Sequence, residues 1–141
     1  MSDIPRILAQ EVMARAEHRC EYCGLSQAGQ VATFHIDHVV PRVAGGATVS
    51  DNLALACVSC SLRKAAKMDV VDPETGEVVR LFNPRHMNWV EHFRWRDAWL
   101  IPLTSIGRAT LHSLALNRAL MVAIRSEEIE RGRHPPPKKQ V

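Results

Sequence analysis

Apolar residues along the chain come in short runs whose spacing alternates between helical and strand-like. Across residues 5–18, Ile7, Leu8, Val12 and Ala16 approximate one helical face, with Pro5 suited to the first turn and Ser2 or Asp3 placed to cap it. Residues 20–24 (CEYCG) make a tight knuckle. Val31 to His38 holds Val, Thr, Phe and Ile and reads as a short strand ending before Pro41. Residues 42–51 form a loop marked by Gly45-Gly46, followed by a second short strand from Leu53 to Ala56 and a short helix from Ser59 to Lys67. Val70 to Phe82 reads as a hairpin turning at Pro73-Glu74-Thr75-Gly76. Residues 88–93 suit one helical turn and 95–103 one or two strands. Thr104 can cap a helix to about Leu116, and Asn117 introduces another to about Arg131. Leu111, Leu114, Leu120, Val122 and Ile124 in these helices complete the core or make a dimer contact. Trp89, Phe93, Trp95 and Trp99 read first as core, with a base-stacking platform as the sharper alternative. The class expected is α+β.

Composition narrows the picture. A chain of 141 residues suits one domain, expected over 1–133. No apolar run approaches the length of a membrane span, and the first residues lack the basic start and unbroken apolar core of a signal peptide. A cytoplasmic or similarly reducing location is therefore the default, where four cysteines are expected as metal ligands sooner than as disulfides. The net charge is +3, from 18 basic and 15 acidic side chains. Residues 1–67 carry seven of the former and six of the latter, and residues 68–133 nine of each. The surplus lies mostly in Lys138 and Lys139, after Pro135, Pro136 and Pro137, so 134–141 reads as a disordered, polyproline-like tail. Such mild charge permits nucleic acid without demanding it.

Cys20-x-x-Cys23 and Cys57-x-x-Cys60 are matched knuckles with 33 residues between them. Each pair can direct two sulfurs at one point, and two pairs complete a tetrahedral zinc site. With four thiolates the site has no open position, so the zinc is expected to be structural. Between the knuckles, His35, Asp37 and His38 crowd into four residues at a strand end. In an ideal strand His35 and Asp37 share one face and His38 takes the other, so one site using Asp37 and His38 requires the strand to bend or stop there.

The order Cys-x-x-Cys, Asp37-His38, Pro41, Gly45-Gly46, Asn52-Leu53, Cys-x-x-Cys resembles the HNH endonuclease family over residues 20–67. The resemblance implies a ββα-metal (His-Me finger) core, pinned by the zinc knuckles and holding one catalytic divalent cation; the pattern of the chain itself places an N-terminal helix before it and a hairpin plus helices over 68–133 after it. His38 would be the general base, Asp37 a carboxylate ligand for Mg²⁺ or Mn²⁺, and Asn52 a hydrogen-bonding group near His38 that holds its orientation. The products would carry 3′-hydroxyl and 5′-phosphate ends.

One position departs from the family pattern. After the second knuckle the family usually has Asn or His, whereas this chain has Ser61. A water-mediated site, recruitment of His35 as an extra ligand, or weakened catalysis could each follow. Arg63, Lys64 and Lys67 on the short helix, and Arg42 at the mouth of the loop, are candidate contacts to the DNA backbone, with little base specificity. Three functions therefore compete: a metal-dependent nuclease acting on DNA, a zinc-stabilised DNA-binding module with a degenerate site, and a zinc-structured protein that binds no nucleic acid. A homodimer or a protein partner is compatible with each.

Overall fold

The structure is a computed structural model that describes residues 4–137. In chain order the elements are α1 (Arg6–Arg15), β1 (His35–His38), β2 (Leu53–Ala56), α2 (Val58–Lys64), β3 (Asp69–Val71), β4 (Val78–Arg80), α3 (Trp89–His92), β5 (Phe93–Arg96), β6 (Trp99–Pro102), α4 (Ser105–Ser113) and α5 (Ala119–Glu130). The strands pair as three separate antiparallel two-stranded sheets, β1 with β2, β3 with β4, and β5 with β6. The fold is α+β, and no described helix is long and apolar enough to cross a membrane.

The first sheet and α2 form the unit that positions the site. Leu53, Ala54, Leu55 and Ala56 are all buried, since α1 and α2 both pack on β2. Strand β1 pairs with it from His35 opposite Ala56 to His38 opposite Leu53 and remains half-exposed. The apolar strand is the floor, and the polar strand presents its side chains above it. β1 is shorter than the Val31 start expected from composition. β2 offers only four residues between the turn at Ser50–Asn52 and Cys57, so residues 31–34 have no partner there. Phe34 N–H instead donates to Gln27 Oε1 at 2.7 Å, and Val31 is fully exposed.

Further along, Phe82 lies at the centre of an aromatic cluster, edge-on to Tyr22, His92 and Phe93. Trp89 packs on Phe93 and Trp95 with centroids 5.1 and 5.4 Å away. Those aromatics belong to the core, while Trp99 is 50% exposed. The same cluster joins the C-terminal elements to the first knuckle: the Trp89 indole N–H donates to Tyr22 O at 3.0 Å, and Arg85 forms an ion pair with Glu21.

The capping expectations divide. Thr104 Oγ1 accepts from Gly107 N–H at 3.0 Å and starts α4. Asn117 does not cap α5: its amide bonds both the N–H and the C=O of Leu100, and Arg118 holds the cap position. Ser2 and Asp3 lie outside the described residues, as do Lys138 and Lys139. The tail expected from residue 134 is packed where it begins. His134 is 7% exposed, stands edge-on to Trp95 at 4.4 Å, and is 3.2 Å from Asp97 O through Nε2. Its ring supplies an aromatic contact that the polar, proline-rich composition does not suggest.

The β3–β4 hairpin is tied to α4 through Asp72. Its buried carboxylate accepts two hydrogen bonds from Arg108 Nε at 3.1 and 3.2 Å and one from Nη2 at 2.8 Å, and it also caps the turn through Glu74 N–H and Thr75 Oγ1. These bonds, Arg108's foremost, hold the Asp72 carboxyl down to about 2, below its ordinary 3.8. A carboxylate depressed on folding contributes stability above its unfolded value and loses it as pH falls through its folded one. Wild-type melting temperature is therefore expected to drop between about pH 4 and pH 2. Asp72→Asn, followed by circular dichroism across that range, is expected to start lower and to lose less.

Candidate metal centre and active site

The two knuckles meet. All four sulfurs of Cys20, Cys23, Cys57 and Cys60 lie within 4.8 Å of one another, and all four residues are buried and free of disulfides. Cys23 Sγ and Cys57 Sγ are 3.8 Å apart. A tetrahedral zinc–thiolate centre with bonds of about 2.3 Å has sulfur–sulfur edges of about 3.8 Å, so the donor set fits zinc. Within each knuckle an N–H points at a sulfur, Cys23 N–H at Cys20 and Cys60 N–H at Cys57. Hydrogen bonds from Cys20, Cys23 and Cys60 pull the Cys57 thiol far below its ordinary value. Cys23 and Cys60 are pushed well up, chiefly by their bonding with Cys20.

The polar groups of β1 divide by face. His35 and Asp37 stand two apart, and Ser61 from α2 joins them: Ser61 Oγ donates to Asp37 Oδ1 at 3.0 Å and lies 2.8 Å from His35 Nδ1. His38, the last residue of the strand, places Nε2 2.8 Å from Thr48 Oγ1 across the loop. Arg42 Nη2 donates to the same Thr48 oxygen at 3.3 Å. Burial, and then the charge of Arg42, lower the His38 pKa below its ordinary 6.5, against an upward pull from Asp37.

The loop between the strands is closed by Asn52. Its Oδ1 accepts from Val40 N–H at 2.8 Å, and its Nδ2 donates to Val40 O at 3.0 Å and to Ala47 O at 2.9 Å. Its backbone carbonyl also accepts from Val39 N–H. Asn52 therefore fixes the two residues after His38 rather than the imidazole itself.

Residues 20–67 match the HNH endonuclease family model. The matched HNH segment begins on Cys20, ends three residues after α2, and covers about a third of the chain. No curated protein matches the chain. The HNH match points to nuclease or DNA-binding function and implies DNA as substrate or partner, and the four-cysteine centre suits the structural zinc of such a segment.

Within the HNH segment, the other sequence candidates fare differently. Arg63 and Lys67 are exposed on and just after α2, with Lys67 Nζ 3.3 Å from Ser113 Oγ. Lys64 is not on that surface, which corrects its assignment as a DNA contact. It is 2% exposed, and its ammonium donates to the carbonyls of His38 at 3.1 Å and Ala65 at 3.4 Å. Neutral carbonyls do not fully compensate a buried charge, so burial lowers its pKa while Asp37 raises it. Lys64 thus buttresses the end of β1 from beneath. Arg42 is exposed, and its Nη2 donates to Thr48 Oγ1 at 3.3 Å.

Thr48 is the residue that sequence reasoning missed. A threonine soon after Gly45-Gly46 carries no local signal for the ring it will meet. Gly46 is required by that same loop: a Cβ built on it would lie 1.7 Å from Val40 O and 2.8 Å from Asn52 Nδ2. Gly46→Ala must push the backbone off the Asn52 clamp, at an expected cost of about 2–3 kcal/mol. A denaturant titration checks that figure, and the spacing between β1 and the loop should loosen with it.

Proposed function

We propose that this chain is a metal-dependent HNH endonuclease that hydrolyses DNA phosphodiester bonds, nicking or cutting with low sequence specificity. The observation that supports it most is that β1 ends at His38, as one site using both Asp37 and His38 requires. Asp37 supplies a hard carboxylate oxygen of the kind Mg²⁺ or Mn²⁺ prefers, with His35 as the second donor and Ser61 orienting both. The four cysteines are the only group of three or more His, Cys, Asp or Glu side chains within ligand range among the described residues. A catalytic cation would therefore be completed by water and by the substrate phosphate, as Mg²⁺ sites commonly are. When bound, such a cation would neutralise charge on the scissile phosphate and on the leaving 3′ oxygen.

His38 takes the proton of the attacking water. In the tautomer whose Nε2–H donates to Thr48 Oγ1, 2.8 Å away, Nδ1 carries the lone pair that accepts it. The lowered pKa keeps the ring neutral, and so basic, at pH 7. Lys64 holds its carbonyl and Asn52 the following backbone, so the end of β1 that carries the ring is fixed. Arg63 and Lys67 flank the site and grip the phosphodiester backbone, reading charge and not base edges.

A second reading, a zinc-stabilised DNA-binding module with an inactive site, is favoured by one feature: Ser61 stands where the resembling family has a ligand and occupies Asp37 Oδ1. Supercoiled plasmid incubated with the zinc-loaded protein, with and without added Mg²⁺, Mn²⁺ or Ni²⁺, separates the two. Relaxed or linear products that need the added cation support the nuclease. Intact plasmid that is nonetheless retarded on a gel in a salt-dependent way supports the binding module.

A further inference from the structure

Arg125, on α5, is 1% exposed. Its guanidinium donates through Nε to Ala98 O at 2.6 Å, and through Nη2 to Leu116 O at 2.7 Å and Asn117 Oδ1 at 2.9 Å. Nη1 is buried with no hydrogen-bond partner. Every partner is neutral. The remaining contact is the face of Trp95, whose centroid is 5.4 Å from the guanidinium carbon. Removing a full positive charge from water costs several kcal/mol, and carbonyl dipoles and a ring face offset only part of that.

Trp95 in turn touches the four-cysteine segment. That indole packs on the first knuckle: a Cβ on Gly24, next to Cys23, would be 3.4 Å from Trp95 Cζ2. The second knuckle is held from the same end of the molecule, since Arg118 Nη2 donates to Ser59 Oγ at 2.9 Å. Burial lowers the Arg125 pKa, and negative charge on Cys23 and Cys60, which zinc binding would bring, opposes that. Four thiolates around Zn²⁺ leave a net charge of −2 in the interior.

We propose that Arg125 is the internal counter-cation of the four-cysteine metal centre. A side chain far outside the HNH segment thereby sets how tightly that segment keeps its zinc. Opposite charges placed together in a poorly screened interior lower the cost of burying each. The C-terminal helix is then part of the metal site's electrostatics, which gives a buried cation with only neutral partners its reason to be there. The proposal rests on the four-cysteine centre and not on the nuclease reading, and no DNA is needed to test it.

The test uses the full chain as wild type, Arg125→Met, Arg125→Gln, Arg125→Lys and Asn117→Ala. Zinc affinity is read by competition with a colorimetric chelator. The sulfur-to-metal charge-transfer band is read after replacing zinc with Co²⁺. Methionine keeps length without charge, glutamine keeps hydrogen bonding without charge, lysine keeps charge, and Asn117→Ala removes a hydrogen-bond partner while leaving the cation. The neutral variants are expected to hold zinc roughly ten- to hundredfold less tightly. Their Co²⁺ band is expected to move to longer wavelength, because sulfur electrons no longer feel the cation. Arg125→Lys and Asn117→Ala should stay within about threefold of wild type, with the band in place. The glutamine variant carries the comparison if the methionine variant does not fold. Affinities that follow each variant's melting temperature regardless of charge, with an unmoved band, would overturn the proposal. Wild-type protein that takes up no zinc would overturn it together with the metal centre.

Discussion

Cys60→Ser, or removal of zinc with a strong chelator, is expected to abolish the cooperative fold and not merely to weaken it. The four sulfurs are buried at the junction of three parts of the chain: the first knuckle after α1, the second knuckle entering α2, and the aromatic cluster of the C-terminal elements. Sulfur ligands in small metal-folded domains contribute on the order of 10 kcal/mol or more through their zinc. A domain of this size has a total stability of about 5–15 kcal/mol, so the two quantities are comparable. Serine at position 60 leaves three thiolates and a weak hydroxyl, and the buried negative charge loses part of its metal. A deficit of even about 5 kcal/mol would move the melting temperature by more than about 15 °C. Far-UV circular dichroism melts of wild type, chelator-treated protein and Cys60→Ser check this. Metal analysis of the wild type should give about one tightly held zinc per chain. A metal-free protein that melts where the wild type does would refute the structural role of the site.

The parts of the fold that depend on short-range pattern were legible in the chain itself. Matched Cys-x-x-Cys pairs announce a common centre because two ligands three residues apart can hardly do anything else so economically. Leu53 to Ala56 reads as a buried strand because it is wholly apolar and bounded by turn residues, and the 73–76 turn carries its own chemistry. What depends on long-range packing was not legible. Lys64 follows Arg63 in a basic stretch, and nothing local distinguishes the cation that points at solvent from the one that turns under β1 to reach His38 O. The depth of Arg125 and the anchoring of His134 both come from Trp95, thirty and thirty-nine residues earlier. Strand alternation gave the division of His35 and Asp37 from His38, but not the hydroxyls of Ser61 and Thr48 that each face meets.

His38→Ala is expected to reduce DNA cleavage about a hundred- to ten-thousandfold while leaving zinc content and DNA retention unchanged, since a positioned general base supplies an acceleration of that size. The side chain lies at the end of β1, and removing it leaves untouched the backbone bonds made by Lys64 to its carbonyl and by Asn52 to Val40. Loss of fold is therefore not expected to account for loss of rate. Because burial and Arg42 lower its pKa, the wild-type rate should be limited on the acid side by a group titrating below 6.5, and cleavage should rise as pH increases through that value. A base must be deprotonated to act, so the sign follows directly.

The most direct measurement is the initial rate of supercoiled plasmid conversion at pH 7 with Mg²⁺ or Mn²⁺, comparing wild type and His38→Ala purified alike and carrying equal zinc. Cleavage by the wild type with at least a hundredfold loss in the variant is the expected result. Equal cleavage by both proteins, or none by either under conditions where both retain DNA on a gel, would contradict the assignment of this site as a nuclease.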